Sequence, residues 1–154
     1  MDTSEQQSRR VSDLRTNIVA LSRRLRQSAQ ADSETWTALM VLGAIQRAEG
    51  QATPANIAAD LELRSSNLAQ VLGELNQRGL IKRAPDAADK RKVRLSLTDD
   101  GIALVRETRA KRDAWLSQAM KACLSAEEQA QLLAAGELIR RLALATQSTA
   151  KGDE

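Results

Sequence analysis

Two short runs hold the residues whose types and spacing could do chemistry. One is Asp89-Lys90-Arg91-Lys92 with Arg94 close behind; the other is Arg64-Ser65-Ser66-Asn67 with Gln70. The cations suit phosphate oxygens, and a guanidinium also suits the concentrated negative potential of a narrow minor groove. The small polar side chains suit base edges. An amide can bond two edge atoms of adenine in the major groove, and a hydroxyl can reach a base or a phosphate. Enzymatic chemistry has little material to work with. The chain contains no histidine and one cysteine, Cys123, which removes the usual zinc sites and most nucleophile–base pairs. No metal, cofactor or catalytic constellation is expected.

The distribution of charge supports a phosphate-binding face. The net charge of the whole chain is only +3. Residues 64–94 hold Arg64, Arg78, Lys82, Arg83, Lys90, Arg91, Lys92 and Arg94 against Glu74, Asp86 and Asp89. That is a surplus of five positive charges in one stretch, and it leaves the remainder at −2. Taken alone, such a run reads as a solvated surface. Confined to one module with the spacing described next, it is the electrostatic footprint of nucleic-acid binding.

The elements that must position these residues run from Thr53 to Gly101. Thr53-Pro54 reads as an N-cap followed by proline at the first helical position. The short helix that follows packs through Ile57, Ala58 and Leu61. After the turn Glu62-Leu63-Arg64, Ser65 or Ser66 is expected to cap a second helix. Leu68, Val71, Leu72 and Leu75 should face its core side, with Ser66, Asn67, Gln70, Glu74 and Gln77 opposite. Arg78-Gly79 ends it, the glycine serving as a left-handed cap. Leu80–Ala84 and Val93–Leu97 are strand candidates around the charged loop Pro85–Lys92. In the second, Val93, Leu95 and Leu97 alternate with Arg94 and Ser96, the period of a half-buried strand. Thr98-Asp99-Asp100-Gly101 opens the next helix with a cap and first-turn acids. The whole reads as a helix-turn-helix followed by a β-hairpin wing.

The flanking segments are helical. Val11, Leu14, Ile18, Leu21 and Leu25 recur at alternating gaps of three and four, a heptad seam that wants a partner helix. Arg9, Arg10, Arg15, Arg23, Arg24 and Arg26 surround it. Asp32 or Ser33 can cap a helix carrying Trp36, Leu39, Met40, Leu42 and Ile45, apolar on most sides and expected to be buried. Trp36 is read as a core residue rather than a ligand platform. Beyond the wing a long helix is expected from about Ile102 to Cys123. Ser125-Ala126-Glu127-Glu128 reads as a capping box. The last helix carries a second seam: Leu132, Ala135, Ile139 and Leu142. The polar end from Gln147 is expected to be disordered, and there is no internal repeat.

Length and composition bound the rest. A chain of 154 residues, 42% of them hydrophobic, suffices for one domain with a core. No apolar run approaches the ~20 residues of a membrane span. Met1-Asp2-Thr3-Ser4-Glu5 is polar and acidic, unlike a secretory signal. A single cysteine cannot form an internal disulfide, so a cytoplasmic protein is the default.

This layout resembles the MarR family of bacterial transcriptional regulators. Asp89-Lys90-Arg91 matches the Asp-x-Arg signature of that family's wing, and Leu97-Thr98-Asp99-Asp100-Gly101 matches its Leu-Thr-x-x-Gly exit. Arg78-Gly79-Leu80-Ile81 is similar to its segment joining recognition helix to wing. The likeness in layout spans roughly residues 10–145. It implies that Arg91 reaches the minor groove and that Asp89 helps to hold its side chain. It implies a homodimer formed through the N- and C-terminal helices. It also implies, as for many members, release from DNA when a small anionic or phenolic compound binds between the dimerisation and DNA-binding regions. The chain has no Phe, Tyr or His, so an effector pocket here would be aliphatic with Trp36 or Trp115 at most. Peroxide-sensing relatives generally carry their reactive cysteine in the N-terminal helix, whereas Cys123 lies elsewhere and is expected to be a small core residue.

The expected fold is mainly α with a small β-hairpin wing: a winged helix-turn-helix flanked by dimerisation helices. The expected divisions are residues 1–30 for N-terminal dimerisation, 31–101 for DNA binding, 102–147 for C-terminal dimerisation, and a tail from 148 to 154. The expected function is a sequence-specific repressor binding double-stranded DNA at an inverted-repeat operator. Arg64, Ser65, Ser66, Asn67, Gln70, Lys90, Arg91, Lys92 and Arg94 are the expected contacts, with Asp89 orienting the wing. Val11, Leu14, Ile18, Leu21, Leu132, Ile139 and Leu142 are the expected dimer face. The rival readings are a redox-responsive regulator acting through Cys123 and a winged-helix module for protein–protein interaction.

Overall fold

A computed structural model describes residues 3–28 and 35–145. Its elements are α1 (Thr3–Ser28), α2 (Trp36–Arg47), α3 (Pro54–Asp60), α4 (Ser65–Gln77), β1 (Ile81–Pro85), β2 (Val93–Leu97), α5 (Asp99–Cys123) and α6 (Ala126–Ala145). This is the mainly helical winged arrangement that the sequence patterns predict. Contacts divide the chain into two compact units, Met1–Asp113 and Ala114–Glu154. The expected tail, residues 148–154, lies outside the described residues, as does Gln147.

In the first unit α2 is the buried centre. Thr35 caps it, its Oγ1 accepting from the Ala38 N–H at 3.2 Å; the expected caps Asp32 and Ser33 lie outside the described residues. Val41 and Leu42 are fully buried, and around them gather Ile57 of α3, Leu68, Leu72 and Leu75 of α4, Ile81 of β1, Leu95 of β2 and Val105 of α5. Truncating one such leucine typically costs about 2–5 kcal/mol, so this cluster fixes the helices that present the polar runs.

Local chemistry sets the joints. Thr53 and Asn56 cap α3 reciprocally: the Thr53 N–H donates to Asn56 Oδ1 at 2.7 Å, and the Asn56 N–H to Thr53 Oγ1 at 3.3 Å. The expected serine cap of α4 is not formed. The helix begins one residue earlier, with Arg64 at the N-cap and no side-chain cap bond, so Ser65 and Ser66 sit in its first turn. Gly79 takes the left-handed conformation at φ 70° and closes α4 as expected. Leu80 then donates its N–H to the Leu75 carbonyl at 3.0 Å, which is why β1 starts at Ile81 and not at Leu80.

β1 and β2 form a two-stranded antiparallel sheet with Ile81 opposite Leu97 and Pro85 opposite Val93. Leu95 is buried and Leu97 half-buried, but Val93 is exposed, contrary to the alternation. Val93 pairs with Pro85 at the outer end of the hairpin, next to the charged loop. The Leu95 N–H donates to the Ala52 carbonyl at 2.9 Å, tying β2 to the loop between α2 and α3.

In the second unit Ser125 and Glu128 form the expected capping box, with bonds of 2.8 and 3.3 Å. No residue of α6 is buried. Leu132, Ile139 and Leu142 are exposed, as are Val11, Leu14, Ile18 and Leu21 of α1 in the first unit. No helix among the described residues is long and apolar enough to cross a membrane.

Candidate nucleic-acid interface

α4 is two-sided. Leu68, Leu72 and Leu75 are buried, while Ser65, Ser66, Asn67, Gln70, Glu74 and Gln77 are all exposed. The predicted base-reading residues therefore share one open face, with Arg64 exposed at its start. Gln70 Nε2 donates to Glu74 Oε1 at 3.1 Å. That bond uses one hydrogen of the Gln70 amide and leaves the other, together with Oε1, for a further partner.

The wing tip is built on two aspartates. Asp86 Oδ1 accepts the N–H groups of Ala88 and Asp89, each at 2.8 Å, the local turn that aspartate favours. Asp89 Oδ1 in turn accepts the Arg91 N–H at 3.1 Å and Arg91 Nε at 3.3 Å. Across the loop, the Asp86 N–H donates to the Lys92 carbonyl and the Lys92 N–H to the Asp89 carbonyl, each at 2.9 Å. The Arg91 side chain is 93% exposed although its Nε is tethered. Lys90 and Lys92 flank it, also exposed. The structure thus brings Asp89 and Arg91 together as the motif suggests.

Arg94 stands differently. Its Nε pairs with Asp86, and its Nη1 donates to the Gln51 carbonyl at 2.8 Å. The side chain is folded back at the base of the wing, half-buried, rather than presented with Lys90, Arg91 and Lys92. Asp86 and Gln51 do not stand out in the sequence as functional residues. The signal for Asp86 is an aspartate followed by two small residues, Ala87 and Ala88, at a hairpin end.

The partners of Asp86 hold its carboxyl down to about 2, against 3.8 for an ordinary aspartate. The Asp89 N–H is the largest cause, then the Arg94 guanidinium and the Ala88 N–H. A depressed folded-state pKa means that this group's stabilisation is complete above about pH 4 and is lost as pH falls through about 2. We expect the stability difference between the parent and Asp86→Asn to be constant from about pH 5 to 8 and to shrink between about pH 4 and 2. Denaturant titrations across that range check it; a difference that fades between about pH 8 and 5 would contradict it.

Comparisons with known proteins match this architecture. A MarR family model matches residues 35–92. An HTH-type transcriptional regulator of Mycobacterium bovis is 31% identical over 135 residues, 88% of this chain and 93% of that protein. The chain belongs to the MarR family. This MarR-family chain is a transcriptional regulator, not an enzyme. The HTH-type transcriptional repressor MdtR of Bacillus subtilis is 28% identical over 145 residues, 92% of this chain and 90% of its own. Among solved structures, a candidate transcriptional regulator of Pseudomonas aeruginosa PA01 superposes with a TM-score of 0.80 at 44% identity, covering 91% of this chain and 96% of that one. A point mutant of MepR from S. aureus, solved bound to an oligodeoxyribonucleotide, superposes with a TM-score of 0.60 at 26% identity, covering 93% and 98%.

In this MarR-family chain the Leu-Thr-x-x-Gly run has a physical reason. Thr98 Oγ1 donates to the Gly79 carbonyl at 2.6 Å and accepts the Gly101 N–H at 3.1 Å. The Thr98 N–H donates to the Leu80 carbonyl at 3.1 Å. One threonine therefore caps α5 and fastens it to the chain between α4 and β1, with Gly101 lying against Leu80.

Trp36 departs from its expected place in the core. It is half-buried, with the Arg26 guanidinium 5.5 Å and the Arg112 guanidinium 5.6 Å from its ring centroid, a cation–π arrangement on the indole. It lines a cavity of about 530 Å³ with Ser22, Leu25, Thr37, Met40, Leu61 and Leu63. In the sequence Arg26 is only part of a charged helix surface, and nothing marks Arg112. Cys123 is exposed rather than in a core, yet as the chain's single cysteine it has no intramolecular partner for a disulfide switch. The described residues hold no cluster of side chains suited to a metal ion.

Proposed function

We propose that this chain is a cytoplasmic, homodimeric repressor that binds an inverted-repeat operator and leaves it when an anionic effector binds. Residues 31–101 form the DNA-binding region, and residues 1–30 and 102–147 the dimerisation regions. Arg64, Ser65, Ser66, Asn67 and Gln70 lie along the major groove. Lys90, Arg91 and Lys92 take phosphate and minor-groove contacts, with Asp89 orienting Arg91. The observation that carries the reading is the wing tip: Arg91 is 93% exposed yet tethered through Nε, between two exposed lysines. A cation pre-set in this way binds with less ordering cost than a free one. Repression is supported by the likeness to MdtR, itself a repressor, and DNA binding by the likeness to MepR, solved on an oligodeoxyribonucleotide. The effector reading rests on the cavity at Trp36, where Arg26 and Arg112 stand without an acidic side chain among the lining residues.

The test is selection of bound fragments from the source genome. The expected product is an inverted repeat with half-site centres about 10 bp apart, the spacing that a symmetric pair of helix-turn-helix modules imposes. Candidate carboxylates added to the selected fragments should strip them from the parent but not from Trp36→Ala protein. Recovery of fragments without a shared repeat would sink the operator reading. Equal release from both proteins would sink the cavity reading alone.

A further inference from the structure

We infer that Arg94 and Asp86 position the wing, and that Arg94 is not itself a DNA contact. The inference rests on the reading of the wing as a DNA-binding element. It revises the set of residues that touch the nucleic acid.

The two side chains lie diagonally across the hairpin. Ala84 pairs with Arg94 and Pro85 with Val93, so Asp86, next in line, falls on the same face as Arg94. Their contact is one link of a continuous path. Gln51, in the loop between α2 and α3, accepts Arg94 Nη1 at 2.8 Å through its backbone carbonyl. Arg94 Nε pairs with Asp86. Asp86 holds the N–H groups of Ala88 and Asp89, and Asp89 holds Arg91. The Gln51 end is fixed, because the next residue, Ala52, is buried and its carbonyl accepts from Leu95. The wing tip is therefore referenced to the packed centre of the module through side chains as well as along its strands.

Burial and charge separate this role from a phosphate contact. The Asp86 side chain is 7% exposed and that of Arg94 31%, against 93% for Arg91. The charge of Arg94 is balanced by its own carboxylate, and its Nε and an Nη1 donor are directed inward at Asp86 and Gln51. A phosphate that drew the guanidinium out of these two bonds would leave Asp86 nearly buried without its cation. Such a separation is strongly unfavourable.

Asp86→Asn gives the decisive sign. It removes a negative charge from a DNA-binding face, so electrostatics alone would tighten binding. Positioning predicts the reverse: operator affinity weakened roughly three- to tenfold, because one long side chain is no longer pre-ordered. Arg94→Lys keeps the charge but cannot span Asp86 and Gln51 in the same way, and should weaken binding like Arg94→Ala. In an Arg91→Ala background neither substitution should cost more. If Arg94 touched a phosphate, Arg94→Ala would instead lower the salt slope by about 1 in either background, with Arg94→Lys close to the parent and Asp86→Asn tighter. Those results would overturn the inference.

Amide exchange in the DNA-free protein provides an independent measurement. Arg94→Ala and Asp86→Ala should speed exchange at Ala88 and Asp89 while leaving Leu72 in α4 protected, which also shows that the variants fold. Unchanged exchange at Ala88 and Asp89 overturns the inference whatever the DNA titrations give. If Arg91→Ala itself binds like the parent, the DNA role of the wing fails, and the exchange result still decides whether Arg94 and Asp86 hold the loop.

Discussion

Gly101→Ala lowers the stability of the protein by about 3 kcal/mol or more, the range reserved for steric conflict inside a packed structure. A Cβ at this position would lie 2.1 Å from the Leu80 carbonyl oxygen and 3.2 Å from its carbon. The obstacle is backbone, so no rotamer change relieves it. Nor can Leu80 retreat cheaply: its N–H is bonded to Leu75 and its carbonyl to the Thr98 N–H, and the residue is buried. Either α5 lifts from the junction of α4 and β1, or the junction itself opens. For a protein of this size the drop corresponds to a melting temperature lower by roughly 6–12 °C. Gly73→Ala is the control. An added Cβ there meets nothing within 4 Å, and in a helix interior alanine is favoured over glycine by about 0.5–1 kcal/mol. Thermal melts of the two variants should move in opposite directions. A Gly101→Ala protein that melts with the parent would show that the close approach at Leu80 does not exist.

Ile139→Glu is expected to disrupt the proposed dimer and to reduce operator affinity by roughly 10²–10⁴-fold, the gain that linking two binding modules supplies. The argument starts from exposure. Val11, Leu14, Ile18, Val19 and Leu21 on α1 and Leu132, Leu133, Leu138, Ile139, Leu142 and Leu144 on α6 are between 38% and 69% exposed in a single chain. Concentrated large apolar side chains of this kind mark an interaction surface. The three-four spacing on both helices is that of helices packing on helices, and a second copy offers the same two seams. A carboxylate placed there would be desolvated without a partner on association, which is severely unfavourable. Sedimentation at micromolar concentration should show a dimer for the parent and a monomer for Ile139→Glu, with the helical signal of the winged module retained. A monomeric parent, or a dimer that tolerates both Ile139→Glu and Ile18→Glu, would contradict this assembly.

The parts of the fold that were legible in the sequence are those decided locally. Thr53-Pro54, Arg78-Gly79, Thr98 and Ser125 each satisfy or end a backbone ladder through near neighbours, so residue type and spacing suffice to place α3, the end of α4, the start of α5 and α6. The exposed polar face of α4 followed from its complement, Leu68, Leu72 and Leu75. What escaped depends on distant partners. The charge of Arg94 is visible in sequence and groups it with the cations of the wing, whereas its bond to Gln51 joins residues 43 positions apart. The helix of Trp36 is apolar on most sides, which points to the core, yet Arg26 and Arg112 approach the indole from two other helices. Val93 obeys the strand alternation but pairs with Pro85 at the open end of the hairpin and is exposed. The serine cap of α4 failed by a single residue, the usual uncertainty at a helix end.

The most direct test of the central claim is a titration of parent, Arg91→Ala, Lys92→Ala and Gln70→Ala proteins against operator and scrambled duplexes at several salt concentrations. Arg91→Ala should lose affinity for both and also some preference for A·T-rich flanks, since a narrow minor groove attracts an inserted guanidinium. Lys92→Ala should weaken both duplexes nearly alike and lower the salt slope by about 1, the share of a single phosphate. Gln70→Ala should reduce only the preference for operator, by about 1–3 kcal/mol. If Arg91→Ala binds both duplexes like the parent at every salt concentration, the wing tip is not a DNA contact and the account fails at its centre.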